Sequence, residues 1–260
     1  MFRIAACSTT ALALSLSAAA AAPAVGLAGD RTLVMFDTST LQVTGMVEVE
    51  GVNRLHGIDL RPADQTLVGV TDDNRIVTID PASGAVSDLS TMDTPLPETD
   101  VQVVVDFNPA ADRLRLMTGT TNHRVNVDTG EVTVDGELVF ESGDANETET
   151  AQVVAAAYTN SFGTPDSTAM FDLDAGLGAL LQQTSPNDGI LATIGALGIE
   201  APGEVMAFDI QTTEAMENTA WLVTNNTLYT VDLETGAATE AGAIEGAEAP
   251  IRDLTIMPAM

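Results

Sequence analysis

Apolar residues in this chain fall in runs of four to seven, rich in Val, Ile, Leu and Thr and cut by Gly, Pro, Asn and Asp. Runs of that length are strand-sized, and amphipathic helical spacing is scarce, so the pattern predicts an all-β protein. One order recurs: strand, turn, a second strand ending in Asp, a Gly-bearing turn, third strand. Leu67-Val68-Gly69-Val70 with Arg75-Ile76-Val77-Thr78-Ile79-Asp80 and Gly84 is one copy; Trp221-Leu222-Val223-Thr224 with Thr227-Leu228-Tyr229-Thr230-Val231-Asp232 and Gly236 is another. Repeats of about forty residues are typical of radial β architectures, where one small sheet cannot bury both faces alone.

Four units are laid out in order over 56–92, 101–140, 151–198 and 203–246, each read as four strands. The two ends supply a fifth. Residues 24–37 parallel 67–80 and so begin at the second strand of a unit, with a last strand near 41–49. The missing first strand is Ile251-Arg252-Asp253-Leu254-Thr255-Ile256-Met257-Pro258, which parallels His56-Gly57-Ile58-Asp59-Leu60-Arg61-Pro62. Closing a ring with both ends removes exposed sheet edges. The expected fold is a five-bladed β-propeller of four-stranded blades with a shared closing blade. A β-sandwich is the alternative architecture, and one irregular unit would make six blades.

The first residues break the pattern. Arg3 precedes an apolar, Ala-rich stretch from Ile4 to Ala22, which reads as a signal peptide (1–22, cleavage near 22–24) ahead of a single domain over 23–260. A periplasmic or secreted protein is expected, with no membrane insertion after signal removal. Cys7, the one cysteine, lies inside that leader, so the processed chain has no thiol or disulfide. No anchor follows the last unit, so a free soluble monomer is expected.

Charge narrows the partners. Formal net charge is −29, from 38 acidic and nine basic residues, and every basic residue is Arg. Such a surface repels nucleic acid and anionic membranes and attracts divalent cations or basic proteins. Solubility in a salty medium explains the same composition.

The runs Leu55-His56-Gly57-Ile58-Asp59-Leu60-Arg61-Pro62-Ala63, Asp106-Phe107-Asn108-Pro109-Ala110-Ala111-Asp112-Arg113-Leu114-Arg115 and Pro186-Asn187-Asp188-Gly189 resemble those of the DUF4394 family of uncharacterised bacterial exported proteins. The resemblance covers nearly the whole processed chain. It implies a secreted, propeller-like domain and assigns no catalytic residues.

In a propeller the first strand of each blade lines the central channel. Aligning the five copies places Asp59, Asp106, Tyr158, Asp209 and Thr255 at one level, with Arg61, Asn108, Asn160 and Met257 two residues on and on the same face. Asp59, Asp106 and Asp209 form a possible Ca²⁺ cage, since this hard cation takes oxygen ligands. The plainer reading is structural: repeated Asp residues cap turns or pair with Arg61 or Arg252. His56 serves as a general base only if it faces the channel, and a hydrogen-bonded structural histidine is the simpler role. Only His56 and His123 are present, too few for a multi-His zinc site. No G-x-S-x-G or G-x-G-x-x-G occurs. Pro186-Asn187-Asp188-Gly189 reads first as a turn and second as a recognition loop. The sequence therefore favours a non-enzymatic module that binds an unknown protein or small ligand at a channel mouth formed by His56, Asp59, Arg61, Asp106, Asn108, Tyr158, Asn160, Asp209 and Arg252. The alternative is a Ca²⁺-dependent propeller hydrolase, lactonase-like, using the inner carboxylates with Asn108 or Asn160 as metal ligands.

Overall fold

A computed structural model of the chain describes residues 22–97, 101–200, 202–203 and 205–258. The expected leader, up to residue 21, lies outside them. Among the described residues there is no helix, and none therefore long and apolar enough to cross a membrane.

Five antiparallel sheets make five blades of a propeller. The closing blade is β1 (Pro23–Ala28), β2 (Thr32–Asp37) and β3 (Val43–Glu48), completed on its inner side by β21 (Ile251–Ile256). The next holds β4 (Leu55–Arg61), β5 (Thr66–Thr71), β6 (Arg75–Ile79) and β7 (Val86–Thr91). The third holds β8 (Val104–Asn108), β9 (Arg113–Thr118), β10 (Thr121–Val125) and β11 (Val132–Val134). The fourth holds β13 (Val153–Tyr158), β14 (Met170–Asp174), β15 (Ala179–Ser185) and β16 (Ile190–Ala196). The fifth holds β17 (Met206–Thr212), β18 (Asn218–Thr224), β19 (Thr227–Val231) and β20 (Ala238–Ala243). The ends are sewn together as the repeat predicted. Val25 pairs with Thr255 and Gly26 with Leu254, and Met257 N donates to Pro23 O at 2.8 Å. One strand was not anticipated: β12 (Val139–Phe140) pairs parallel to β16 and gives the fourth blade a fifth strand.

The inner strands of each blade bury both faces while the outermost strands stay largely open to solvent, and the apolar core is divided among the five seams. Val68, Val70 and Ile76 of one blade meet Phe107, Leu114 and Leu116 of the next; Leu173 and Leu180 meet Phe208 and Leu222. The Asp-to-Gly turn explains part of the repeat. Gly84 and Gly236 lie at φ +76° and +80°, and each N–H bonds back to the carbonyl four residues earlier. A Cβ on Gly84 would stand 2.2 Å from Glu48 O, and one on Gly236 2.5 Å from Gly195 O, both in the preceding blade. Only glycine accepts this φ and lets the two backbones meet.

Candidate functional site: the channel and its open mouth

The inner strands β21, β4, β8, β13 and β17 stand side by side around the axis, each in its own sheet, so no backbone ladder joins one to the next. Side-chain carboxylates take over that task. Asp59 Oδ2 accepts the Phe107 N–H of β8 at 2.7 Å, and its Oδ1 accepts Leu60 N–H at 2.7 Å and the Thr255 hydroxyl at 3.0 Å. Asp106 Oδ1 accepts the Tyr158 N–H of β13 at 3.0 Å. Asp209 accepts the Ile256 N–H of β21 at 2.5 Å, and Asp253 accepts the Ile58 N–H of β4 at 2.7 Å. Four of the five seams are latched in this way. Gly57 makes the last one possible, because a Cβ there would lie 2.5 Å from Asp253 Oδ2.

The latches also concentrate charge. Asp59, Asp106 and Asp209 are buried, and each offers an oxygen within 4.8 Å of the others. Ionised carboxylates this close and this dry repel one another and lack hydration. Burial, and then the Asp209 charge, pushes Asp59 well above the usual carboxylate range; burial, and then Asp59, does the same to Asp106. Burial pushes Asp209 up to about 6 and Asp253 up to about 7. A proton or a hard cation relieves this arrangement.

The two ends of the channel differ. At the end where the inner strands begin, Gln102 Nε2 bridges the carbonyls of Met206 and Arg252 at 2.6 and 2.5 Å. Arg252 donates to the carbonyls of Gly29, Asp30, Leu55 and His56. That end is tied shut. At the other end a cavity of about 510 Å³ opens, floored by Asp59, Asp209 and Thr255 and walled by residues 161–162, 211–215 and 217. Glu214 and Glu217 add two carboxylates to its wall, and no basic side chain lines it. Its walls are tied together: Asn218 Oδ1 accepts Asn160 N–H at 2.9 Å, Asn218 Nδ2 donates to Asn160 Oδ1 at 3.0 Å, and Ser161 N–H donates to Thr212 Oγ1 at 2.9 Å. Phe162 at the rim is 37% exposed. Met216 holds φ +61°, a strained value for a residue with a side chain.

The residues singled out from sequence therefore separate. Asp59 and Asp209 line the cavity, Asp106 completes the carboxylate cluster beneath it, and Asn160 braces its wall. Arg61 is held instead by Asp112 and Asp128, at 2.5 and 3.0 Å. Asn108 caps the turn that follows its strand, accepting from Ala110 and Ala111 N–H. His56 and Arg252 belong to the shut end, where burial, and then Arg54, lowers the His56 pKa. Tyr158 points into the β8/β13 seam, and its hydroxyl accepts from Arg115 Nε at 3.1 Å. The Pro186–Gly189 segment packs as an interblade turn: Pro186 O accepts from Asn122 and Asn187 Oδ1 from Arg115. Sequence reasoning missed Asp253 as a latch, because in the repeat it aligns with Gly57, not with Asp59. The signal was the pairing of a bare glycine with an acid across one seam. It also missed Glu214 and Glu217, because the matching loops between first and second strands, 62–65, 109–112 and 159–169, carry no Glu.

Comparison with known proteins adds the following. The family profile described as "Domain of unknown function (DUF4394)" matches residues 32–255. No curated protein matches the chain. A structural genomics protein of unknown function from Bacteroides thetaiotaomicron is similar in structure at TM-score 0.53 and 15% identity, over 92% of this chain and 65% of that one. A protein of unknown function from Bacteroides caccae aligns at TM-score 0.45 and 10% identity, over 92% of this chain and 100% of that one. An auxiliary nutrient binding protein from Bacteroides thetaiotaomicron aligns at 0.47 and 11%, over 83% and 54%.

Proposed function

The chain belongs to the DUF4394 family, and on that footing we propose that it is an exported, non-enzymatic binding module that takes a small neutral or cationic ligand at the open mouth of its ring. The observation that carries this reading is the contrast between the ends: one is tied shut by Gln102 and Arg252, the other opens into a cavity of about 510 Å³ with fixed walls. That volume suits a small ligand, and ligand sites on rigid rings are built from loops such as these. Glu214 and Glu217, with Asp209 beneath them and no basic partner, repel anions and favour cations or polyols. The Ala-rich stretch ahead of Pro23 supports export.

The 4.8 Å carboxylate cluster favours a second reading, a Ca²⁺ held by Asp59, Asp106 and Asp209 in a hydrolase. Against it, Asn108 caps a turn and Asn160 braces a wall, so neither is free to complete the ligand set. Calorimetric titration with putrescine, with glucose and with Ca²⁺ distinguishes the readings. Putrescine or glucose heat that falls at least tenfold in a Glu214→Gln/Glu217→Gln variant supports the mouth site. Ca²⁺ heat lost in Asp59→Asn/Asp106→Asn supports the second reading, and silence in all three titrations removes both.

A further inference from the structure

Away from the channel, the seam between the third and fourth blades encloses a polar cluster that the mouth does not use. Arg115 is 1% exposed and donates Nη1 to Asn122 and to Asp135, each at 2.7 Å, Nε to Tyr158 at 3.1 Å and Nη2 to Asn187 at 3.1 Å. Arg124 closes on Asp135 from the other side at 2.6 Å. Beside this satisfied group stands Asp172, which is 0% exposed, with neither carboxylate oxygen in a hydrogen bond. Its neighbour across the β14/β15 ladder is Gln183, 3% exposed, on the same face because Asp172 opposes Leu181 and Gln183 opposes Met170. Gln183 Oε1 is also without a partner, while Nε2 is turned to Met117 Sδ at 3.0 Å. Two neighbouring buried acceptors thus lack a donor.

We propose that Asp172 carries a proton in the folded protein in mildly acidic solution and shares it with the Gln183 amide, a neutral acid–amide pair that lets the two blades close without a buried charge. One proton supplies the missing donor, and rotation of the Gln183 amide about its terminal torsion presents Oε1 to it. An ionised Asp172 would instead be a buried anion with the Gln183 amide as its one neutral donor and its second oxygen unbonded, which is costlier than a bonded neutral group. The charged groups facing it are Arg115 from β9 and Asp174 from its own strand; Asp135 and Arg124 lie beyond Arg115. Burial dominates and pushes the group up to about 7; against it the Gln183 amide and then Arg115, whose charge is already matched by Asp135, favour the anion, and Asp174 adds to the rise.

The consequence is a seam that tightens in acid. A folded-state pKa raised above the unfolded value gives stability fully present below the usual carboxylate range and lost as pH rises through about 7. Urea unfolding of the full chain and of Asp172→Asn, each at pH 5, 6, 7 and 8, tests this. The unfolding constant of the unsubstituted protein should rise faster with pH than that of the variant, by on the order of tenfold per pH unit up to about 7. Asp59, Asp106, Asp209 and Asp253 titrate in both proteins and cancel in the comparison. Parallel pH profiles overturn the proposal. Should the variant not fold, carbon-13 NMR of the unsubstituted protein decides: the assigned Asp172 carboxyl carbon should keep its neutral-acid shift at pH 6, and an ionised shift there overturns the proposal.

Discussion

The latched seams and the β13/β17 seam solve the same problem by different means. Around most of the ring, an inner-strand carboxylate reaches the next strand's amide: Asp59 to Phe107, Asp106 to Tyr158, Asp209 to Ile256, Asp253 to Ile58. Strand β13 reads Val-Val-Ala-Ala-Ala-Tyr and has no acid to offer. Its seam with β17 relies on apolar packing of Ala155, Ala157 and Leu173 against Phe208 and Leu222, and on the Asn160–Asn218 and Ser161–Thr212 ties at the cavity wall. A carboxylate latch is directional but carries a desolvation cost. Packing is cheap and non-directional. The seam without a latch is therefore the one whose alignment is set at the rim, beside the open mouth.

The largest effect should come from the most heavily tied seam. Arg115→Met strips the donors from Asn122, Asp135, Tyr158 and Asn187 at once and should cost about 3–5 kcal/mol in urea unfolding, the usual loss on breaking a buried ion pair. A loss under about 1 kcal/mol would show that apolar packing alone holds this seam.

Next comes a single latch. Asp253→Ala leaves the Ile58 N–H without its acceptor and should cost about 1–3 kcal/mol. The loss depends on pH. Asp253 is pushed up to about 7, so its contribution is full in acid and fades as pH rises through that value. The variant should therefore be most impaired near pH 5 and approach the unsubstituted protein near pH 8, as followed by thermal unfolding. A penalty that grows with pH would reverse the assignment of Asp253 as a strained anion.

The smallest stability effect belongs to the seam without a latch. Asn218→Ala removes exposed hydrogen bonds and should cost about 1 kcal/mol or less. Its signature is expected in amide hydrogen exchange, with faster exchange confined to residues 159–162 and 212–218. Equal acceleration across all seams would dissolve the distinction between latched and unlatched interfaces.

Much of this architecture was legible in the chain. Runs such as Leu67–Val70 and Leu222–Thr224 alternate with Asp- and Gly-bearing turns, and the backbone rule that only glycine suits Gly84 and Gly236 is local. The closure could also be read, because 252–258 repeat 56–62 in residue type. The candidate site was legible only to its level along the strands. Alignment placed Asp59, Asp106 and Asp209 together, but Tyr158 at the same level turned into a seam to meet Arg115.

By itself, then, the sequence determined the strands, their order and the ring, since these follow from short-range periodicity and turn chemistry repeated along the chain. Tertiary structure alone decided which end of the channel opens, which acids latch a seam and which stand without a donor. Those outcomes depend on how side chains from strands far apart in the chain, such as Asp59 and Thr255 at 196 residues, divide a shared space. No local pattern encodes that division, because each side chain's surroundings come from the neighbouring blade.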